Sequence, residues 1–136
     1  MTFEAMAVSK KNQSLIKLEA IRRAQVRKEV LKNANLKIQW DKHGKHIVGH
    51  KNYNPAELRS IFTHPDPQGL VYKYAGTGMK NSNSMPGECG YKELVNFGEL
   101  IGYEVDRQSG EKIATSWGKI HYAKDGVHIV PTKPRG

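Results

Sequence analysis

The last third of the sequence consists of short apolar runs separated by turn-forming residues, and this pattern constrains the fold more than any other feature. The runs cover residues 93–97, 101–105, 112–115, 118–122 and 127–130. Runs of this length between turn signals are typical of antiparallel strands. Residues 15–34, in contrast, contain neither proline nor glycine and are rich in helix formers, which predicts a helix. Helices followed by a meander of strands indicate the α+β class.

Length and composition fit a single hydrophobic core. The chain has 136 residues, of which 38% are hydrophobic, and this is enough for one domain. We predict a basic N-terminal tail and helix over residues 1–36, with Ser14 as the N-cap where the tail ends. Residues 37–136 are predicted to form the C-terminal functional domain. Within it we expect a short strand over 37–40, helices over 55–62 and 67–74, and an exposed loop over 81–90.

The positive charge restricts the kind of partner. The formal net charge is +9 with neutral histidines, which favours nucleic acid, an anionic membrane or an acidic protein. No stretch approaches the roughly 20 apolar residues of a transmembrane helix, and residues 1–11 lack the apolar run of a signal peptide. The basic helix has no aromatic anchor on its apolar side, so we expect no membrane contact. It is predicted to be a solvated helix or a surface for RNA backbone.

Neither cysteine chemistry nor a zinc site is expected. The single cysteine, Cys89, excludes an internal disulfide bond and lies in a predicted loop. The histidines His43, His46 and His50 are interpreted as part of a basic loop. A metal site formed by these three residues, and with it a metal-dependent DNase, is an alternative that lacks an obvious further ligand.

The final hairpin brings two histidines to one surface. If Asp125-Gly126 forms a two-residue turn, Ala123 pairs with His128 and Tyr122 pairs with Ile129. Side chains alternate across a sheet, so one face carries the apolar residues. The other face then carries Lys119, His121 and His128, with Thr115 nearby, and the two histidines are diagonal neighbours.

Histidines beside a lysine suit RNA cleavage without a metal. The reaction needs a base for the ribose 2′-OH, an acid for the leaving 5′-oxygen, and cations for the charged transition state. Histidine can act as either acid or base near neutral pH, and RNA supplies its own nucleophile. The alternatives are a polar sheet surface without catalysis and a basic module that binds nucleic acid and cleaves nothing.

Several segments, taken together in order, resemble a known family. They are Lys45-His46-Ile47-Val48-Gly49 with Asn52-Tyr53, then Leu70-Val71 with residues 73–78, then Phe97-Gly98 with Ile101-Gly102-Tyr103, and finally Thr115 with residues 118–124 and 126–131. The chain resembles the polymorphic toxin type fifty family over residues 40–134. Members of that family are predicted RNase domains at the C-termini of bacterial toxins and of some phage and prophage head proteins.

The resemblance implies both a fold and a site. The fold is of the barnase–EndoU–colicin–RelE type, with N-terminal helices packed on a curved antiparallel sheet of about four to five strands. The activity is metal-independent cleavage of RNA, with tRNA among the candidates, leaving a 2′,3′-cyclic phosphate and requiring no cofactor. The catalytic candidates are His46, His121, His128 and Thr115, and the substrate-binding candidates are Lys45, Lys119, Lys124 and Tyr122.

The resemblance also implies a biological setting, and the sequence departs from the family pattern at a few positions. A cognate immunity protein, expected to be acidic, would neutralise a domain carried at the C-terminus of a larger secreted or phage-borne protein and acting in the target-cell cytoplasm. His50 stands where a small hydroxyl residue is expected, and Ala123 stands where serine is usual. The loop over 81–91 is longer than expected.

Overall fold

The computed structural model describes residues 3–135, and for residues 3–9 it describes the backbone alone. The helices are α1 (Phe3–Asn33), α2 (Trp40–His43) and α3 (Pro67–Tyr74), with 3₁₀ turns at Gly44–His46 and Pro55–Glu57. The strands are β1 (Ile61–Phe62), β2 (Met79–Lys80), β3 (Lys92–Asn96), β4 (Gly102–Val105), β5 (Lys112–Thr115), β6 (Trp117–Ala123) and β7 (Gly126–Pro131). The predicted α+β class is confirmed.

Helix α1 is longer than the sequence predicts. It begins at Phe3, so the predicted tail is wrong over residues 3–13, and Ser14 lies inside the helix rather than at its start. The cause is that no proline or glycine interrupts residues 3–14, and serine costs little inside a helix. Residues 1 and 2 lie outside the described residues. Among residues 3–135, no helix combines the length and the apolar character needed to cross a bilayer.

The C-terminal part of α1 is anchored to the rest of the fold. Val30 is fully buried in the main core, while the Arg27 guanidinium donates a hydrogen bond of 2.6 Å to the carbonyl of Ala75 at the end of α3. A cation at a helix C-terminus satisfies carbonyls that have no partner within the helix. The helix therefore joins the core through its last turns.

The strands form two antiparallel sheets rather than one meander. One sheet has the order β2-β3-β6-β7 and the other has the order β1-β4-β5. The five predicted strands are confirmed, with bounds that differ by at most one residue. The chain changes sheet at Ser116, because Thr115 pairs with Gly102 in the second sheet, whereas Trp117 pairs with Asn96 in the first.

The core lies between the four-stranded sheet, α3 and the end of α1. Its members are Val30, Ile38, Phe62, Leu70, Val71, Ala75, Tyr91, Val95, Phe97, Ile101, Ile120, Tyr122, Val127 and Ile129. Alternating buried residues along β6 show that this strand presents one face to the core.

The connecting segments agree with prediction in part. Helix α3 begins after the N-cap Asp66, whose side chain accepts a hydrogen bond from the Gly69 N–H, and residues 81–90 form a loop as predicted. The predicted helix over 55–62 is wrong, because the 3₁₀ turn ends at Leu58 in the left-handed region (φ 51°) and β1 follows. The predicted strand over 37–40 is reduced to one parallel bridge between Ile38 and Val127.

Candidate active site

The β6–β7 hairpin carries two of the predicted histidines as a direct cross-strand pair. His121 pairs with His128 and Ala123 pairs with Gly126, so the predicted pairing of Ala123 with His128 is wrong. The turn residues are Lys124 and Asp125, and the positive φ belongs to Gly126 (+129°). The turn is displaced because a Cβ at Gly126 would collide with the Lys37 carbonyl, and glycine lets the backbones approach there. The displacement leaves the faces as predicted, since His121 and His128 still share one side.

The outer edge of β7 is covered by the segment that leads into α2. The Val127 N–H donates to Lys37 O at 2.8 Å, and the Ile129 N–H donates to Nδ1 of His43 at 3.3 Å. Pro131, the next position on that edge, has no N–H to satisfy. These contacts fix the backbone on both sides of His128.

A 3₁₀ turn brings His46 to the same place from a distant part of the sequence. The turn Gly44–His46 follows α2 directly. His46 is buried, and its Nδ1 lies 2.8 Å from the carbonyl oxygen of Ser60. Since a carbonyl only accepts, Nδ1 carries the proton and Nε2 is the free acceptor.

The three imidazoles form a continuous row. The ring centroids of His46 and His128 are 6.3 Å apart, with the planes inclined by 16°, and those of His128 and His121 are 4.7 Å apart, with the planes inclined by 36°. All three rings line one open cavity of about 400 Å³. Three imidazoles beside one cavity can each give a proton to, or take a proton from, a bound group.

Burial and nearby cationic side chains lower the pKa of each imidazole, and repulsion between imidazoles adds to this for His121 and His128. Burial is the main cause in all three cases. The pKa of His128 falls to about 3, with repulsion from His121 and His46 adding to burial. The pKa of His121 falls to about 4, with Lys92 and Lys119 as the next causes, and the pKa of His46 is also lowered. The row is therefore neutral at pH 7 in the free protein, and an anion in the cavity would favour its protonation.

Four cations surround the row and make the cavity suitable for an anion. Lys119 lies on β6 two residues from His121, and Lys92 on β3 pairs directly with His121. Arg59 and Arg107 also line the cavity. Two carboxylates oppose these cations, Glu104 in the cavity lining and Glu57, which is paired with Arg59. Four positive charges against two negative charges still attract phosphate groups more than neutral ligands.

Two uncharged polar groups add hydrogen-bonding capacity. Asn81 lines the cavity. Thr132 lines it as well, and its Oγ1 is buried without a hydrogen-bond partner among residues 3–135. A buried hydroxyl without a partner is costly.

Four of the predicted site residues lie away from this cavity. The Thr115 hydroxyl accepts a hydrogen bond from the Trp117 N–H at 3.0 Å. Thr115 lies away from the cavity because its strand, β5, belongs to the other sheet. Tyr122 is buried on the core face, where its hydroxyl donates to Glu93. Lys124 lies in the exposed turn of the hairpin, and Lys45 is exposed beside His46 without lining the cavity.

Sequence reasoning missed several cavity residues. Lys92 reaches the site because β3 pairs with β6. The alternation of side chains within one strand does not reveal which strand is its partner or in which register the two pair. Arg59 and Ser60 arrive because the chain turns at Leu58, a non-glycine residue with a positive φ. Such a conformation at a bulky residue is uncommon and is not signalled by the sequence.

The remaining histidines of the 43–50 cluster do not join the row. His43 is fully buried between the rings of Trp40 and Phe62, and Nδ1 of His50 accepts a hydrogen bond from the Asn52 N–H at 3.1 Å. Among the described residues, no group of three or more His, Cys, Asp or Glu side chains is arranged to hold a metal ion. The metal site considered for His43, His46 and His50 therefore lacks a common centre.

Fold and cavity together define a small α+β domain with a row of three imidazoles beside a cationic cavity. The family model for bacterial toxin 50 matches residues 38–131, from the bridge at Ile38 to the end of β7. The chain belongs to the bacterial toxin 50 family, and the resemblance to a polymorphic toxin family is confirmed. The match excludes α1. No curated protein matches the chain.

Proposed function

We propose that this toxin domain is a metal-independent endoribonuclease. The observation that carries the proposal is the row of His46, His128 and His121 along one cavity lined by cations. RNA needs no external nucleophile, because its 2′-OH attacks the adjacent phosphorus and the 5′-oxygen leaves. The product ends are a 2′,3′-cyclic phosphate and a 5′-hydroxyl.

The geometry supports a division of roles among the imidazoles. His46 is proposed as the general base, because the Ser60 carbonyl holds its proton on Nδ1 and leaves Nε2 free to take the 2′-OH proton. The His121–His128 pair is proposed to supply the proton that the leaving oxygen takes. A phosphate bound between Lys92 and Lys119 raises the pKa of this pair, which is low in the free protein. Only one of two interacting imidazoles then carries the proton, so the pair titrates as a unit.

The proposed biological role combines the membership of the toxin family with this site. As a toxin domain of a larger secreted or phage-borne protein, it is proposed to act in the cytoplasm of a target cell, with tRNA among its candidate substrates. Its cationic cavity would be blocked by an immunity protein, which we expect to present acidic side chains to Arg59, Arg107 and Lys119.

Cleavage of defined RNA by purified protein in the presence of a chelator tests the proposal. We expect His46→Ala, His121→Ala and His128→Ala each to lower kcat/KM by about 10³-fold, the size of a lost acid or base. His64→Gln is the matched control, since His64 pairs with Glu99 outside the cavity. Substitution of 2′-deoxyribose at the cut site should abolish cleavage, and the ends should carry cyclic phosphate.

Other outcomes would favour other functions. Salt-sensitive RNA binding without products would indicate a nucleic-acid-binding module. Cleavage that requires an added divalent metal, or that persists in all three alanine variants, would contradict the proposed mechanism.

A further inference from the structure

The net charge of the chain is distributed unevenly between α1 and the region that matches the family. Residues 38–131 contain eleven lysines and arginines against ten aspartates and glutamates, whereas residues 1–37 contain nine against three. Most of the +9 therefore lies outside the catalytic region. The charge that favours a polyanion belongs chiefly to the helix.

A groove runs between α1 and the segment from Gly76 to Lys80. Its volume is about 610 Å³. Three exposed cations, Arg22, Arg23 and Lys80, line it beside one carboxylate, Glu19, which is paired with Arg23 at 2.6 Å. The apolar side chains in the lining are those of Leu15, Leu18, Val26 and Met79. Cations next to apolar surface suit a single-stranded nucleic acid, which offers phosphates and base faces together.

The walls of this groove are held in place. Arg27 ties α1 to the end of α3, and a Cβ on Gly76 would lie 2.7 Å from the Arg27 Cα, so the two backbones are in close contact. On the inner side, the buried carboxylate of Glu93 accepts hydrogen bonds from the N–H groups of Gly76 and Gly78 at 2.9 and 2.8 Å. A groove with fixed walls binds without first being ordered.

The groove and the cavity lie on opposite faces of the sheet, on either side of its edge strand β2. Lys80 lines the groove and pairs with Glu93, whose side chain faces the core. The next residue, Asn81, lines the cavity, and its N–H donates to the carbonyl of Lys92 at 2.8 Å. Lys80 and Asn81 therefore connect the two sites around the edge of the sheet.

We propose that this groove binds the RNA segment that flanks the cleaved phosphodiester. One strand runs from the cavity across Lys80 to Arg22 and Arg23, so α1 is a substrate-binding arm. The inference rests on the proposed function for the identity of the ligand in the cavity. RNA is favoured over an acidic protein because successive residues of the chain, Lys80 and Asn81, line the groove and the cavity around the edge of the sheet. It is favoured over a membrane because residues 10–33 contain no aromatic anchor.

Binding of uncleavable RNA to the full chain tests this proposal. The probes are fluorescent 2′-O-methyl oligonucleotides of about 4 and about 16 nucleotides, short enough to fill the cavity alone or long enough to reach α1. The test variant is Arg22→Gln, Arg23→Gln and Lys80→Gln combined. Its control removes the same charge at exposed sites elsewhere, through Lys51→Gln, Lys112→Gln and Lys133→Gln.

We expect the groove variant to bind the long probe about tenfold more weakly and to lower the salt slope by about 2, since each single-strand phosphate contact contributes about 0.7. Its affinity for the short probe should stay within about twofold of wild type, as should the affinity of the control variant for both probes. Circular dichroism and thermal unfolding establish that each variant is folded.

Two results would overturn the proposal. One is an equal loss for both probes or for both variants, which would show that only net charge matters. The other is unchanged RNA binding by the groove variant together with lost binding to a polyglutamate peptide, which would assign the groove to an acidic protein. Because the probes cannot be cleaved, failure of the nuclease mechanism and failure of the groove are observed separately.

Discussion

The two faces of the β6–β7 hairpin are built by the same two strands and have opposite energetic character. On the core face, Ile120, Tyr122, Val127 and Ile129 are at most 3% exposed. They exclude water and stabilise the fold by apolar burial. On the other face, Lys119, His121 and His128 are half-buried and line the cavity.

The comparison shows where stability and chemistry are separated. The core face contains residues that serve mainly in packing, with one buried hydrogen bond from Tyr122 to Glu93. The cavity face brings together imidazoles and lysines. Burial keeps the imidazoles uncharged, and the lysines repel any proton that the imidazoles take up. Such an arrangement costs stability and is typical of functional sites. Substitutions on the two faces should therefore have different consequences.

The largest expected effect distinguishes the faces through adjacent residues of β7. His128→Ala should lower RNA cleavage by about 10³-fold while changing the free energy of unfolding by less than about 1 kcal/mol. Ile129→Ala should lower the free energy of unfolding by about 3 kcal/mol, since it leaves a cavity in the core, and should retain activity below its melting temperature. Urea denaturation and single-turnover cleavage measure both quantities. A large loss of stability in His128→Ala would show that the row is structural.

The face of each hairpin residue could be predicted from sequence, because alternation alone decides it. The pairing could not, since the turn position depends on contact between Gly126 and Lys37, two segments far apart in the sequence. A displacement of the turn by one residue preserved the faces and converted diagonal histidines into direct partners.

The site was predictable in its histidines and in Lys119. The hairpin pattern predicts His121 and His128, and the family resemblance predicts His46. The position of His46 beside these two residues depends on the 3₁₀ turn and on its hydrogen bond to Ser60. The sequence prediction placed Thr115 near the histidines because it assumed one continuous meander. The change of sheet at Ser116 places Thr115 away from them. Long-range pairings of this kind leave no local signal in the sequence.

The second prediction compares a cation that only the structure identifies with one that the sequence suggested. Lys92→Gln should lower kcat/KM by about 10- to 100-fold, because it removes a charge beside His121 that would stabilise the phosphorane. Lys124→Gln, in the exposed turn, should change kcat/KM by less than about twofold. Steady-state kinetics on one RNA substrate at fixed salt compares them. Equal effects of the two substitutions would indicate that the phosphate binds nearer to the turn of the hairpin.

The smallest expected effect concerns His43, which contacts the backbone of β7 next to His128. Its Nδ1 accepts the Ile129 N–H and thereby fixes the strand next to His128. His43→Leu should lower kcat by about tenfold through misplacement of His128, with little change in KM. His43→Asn, whose side-chain oxygen can occupy the position of Nδ1, should restore kcat to within about threefold of wild type. If both variants behave alike, His43 acts through packing alone.

The same residue makes a prediction about acid stability. Burial, followed by repulsion from His46 and His50, lowers the pKa of His43 to about 4 in the folded protein, whereas it is about 6.5 in the unfolded chain. Between these values the unfolded chain binds the proton and the folded protein does not. The stability contributed by neutral His43 is therefore fully present above pH 6.5 and is lost as the pH falls toward 4. Because leucine takes no proton, the free energy of unfolding should fall more steeply with acid in wild type than in His43→Leu. Parallel pH profiles from urea denaturation would show instead that the imidazole is accessible to protons in the folded protein.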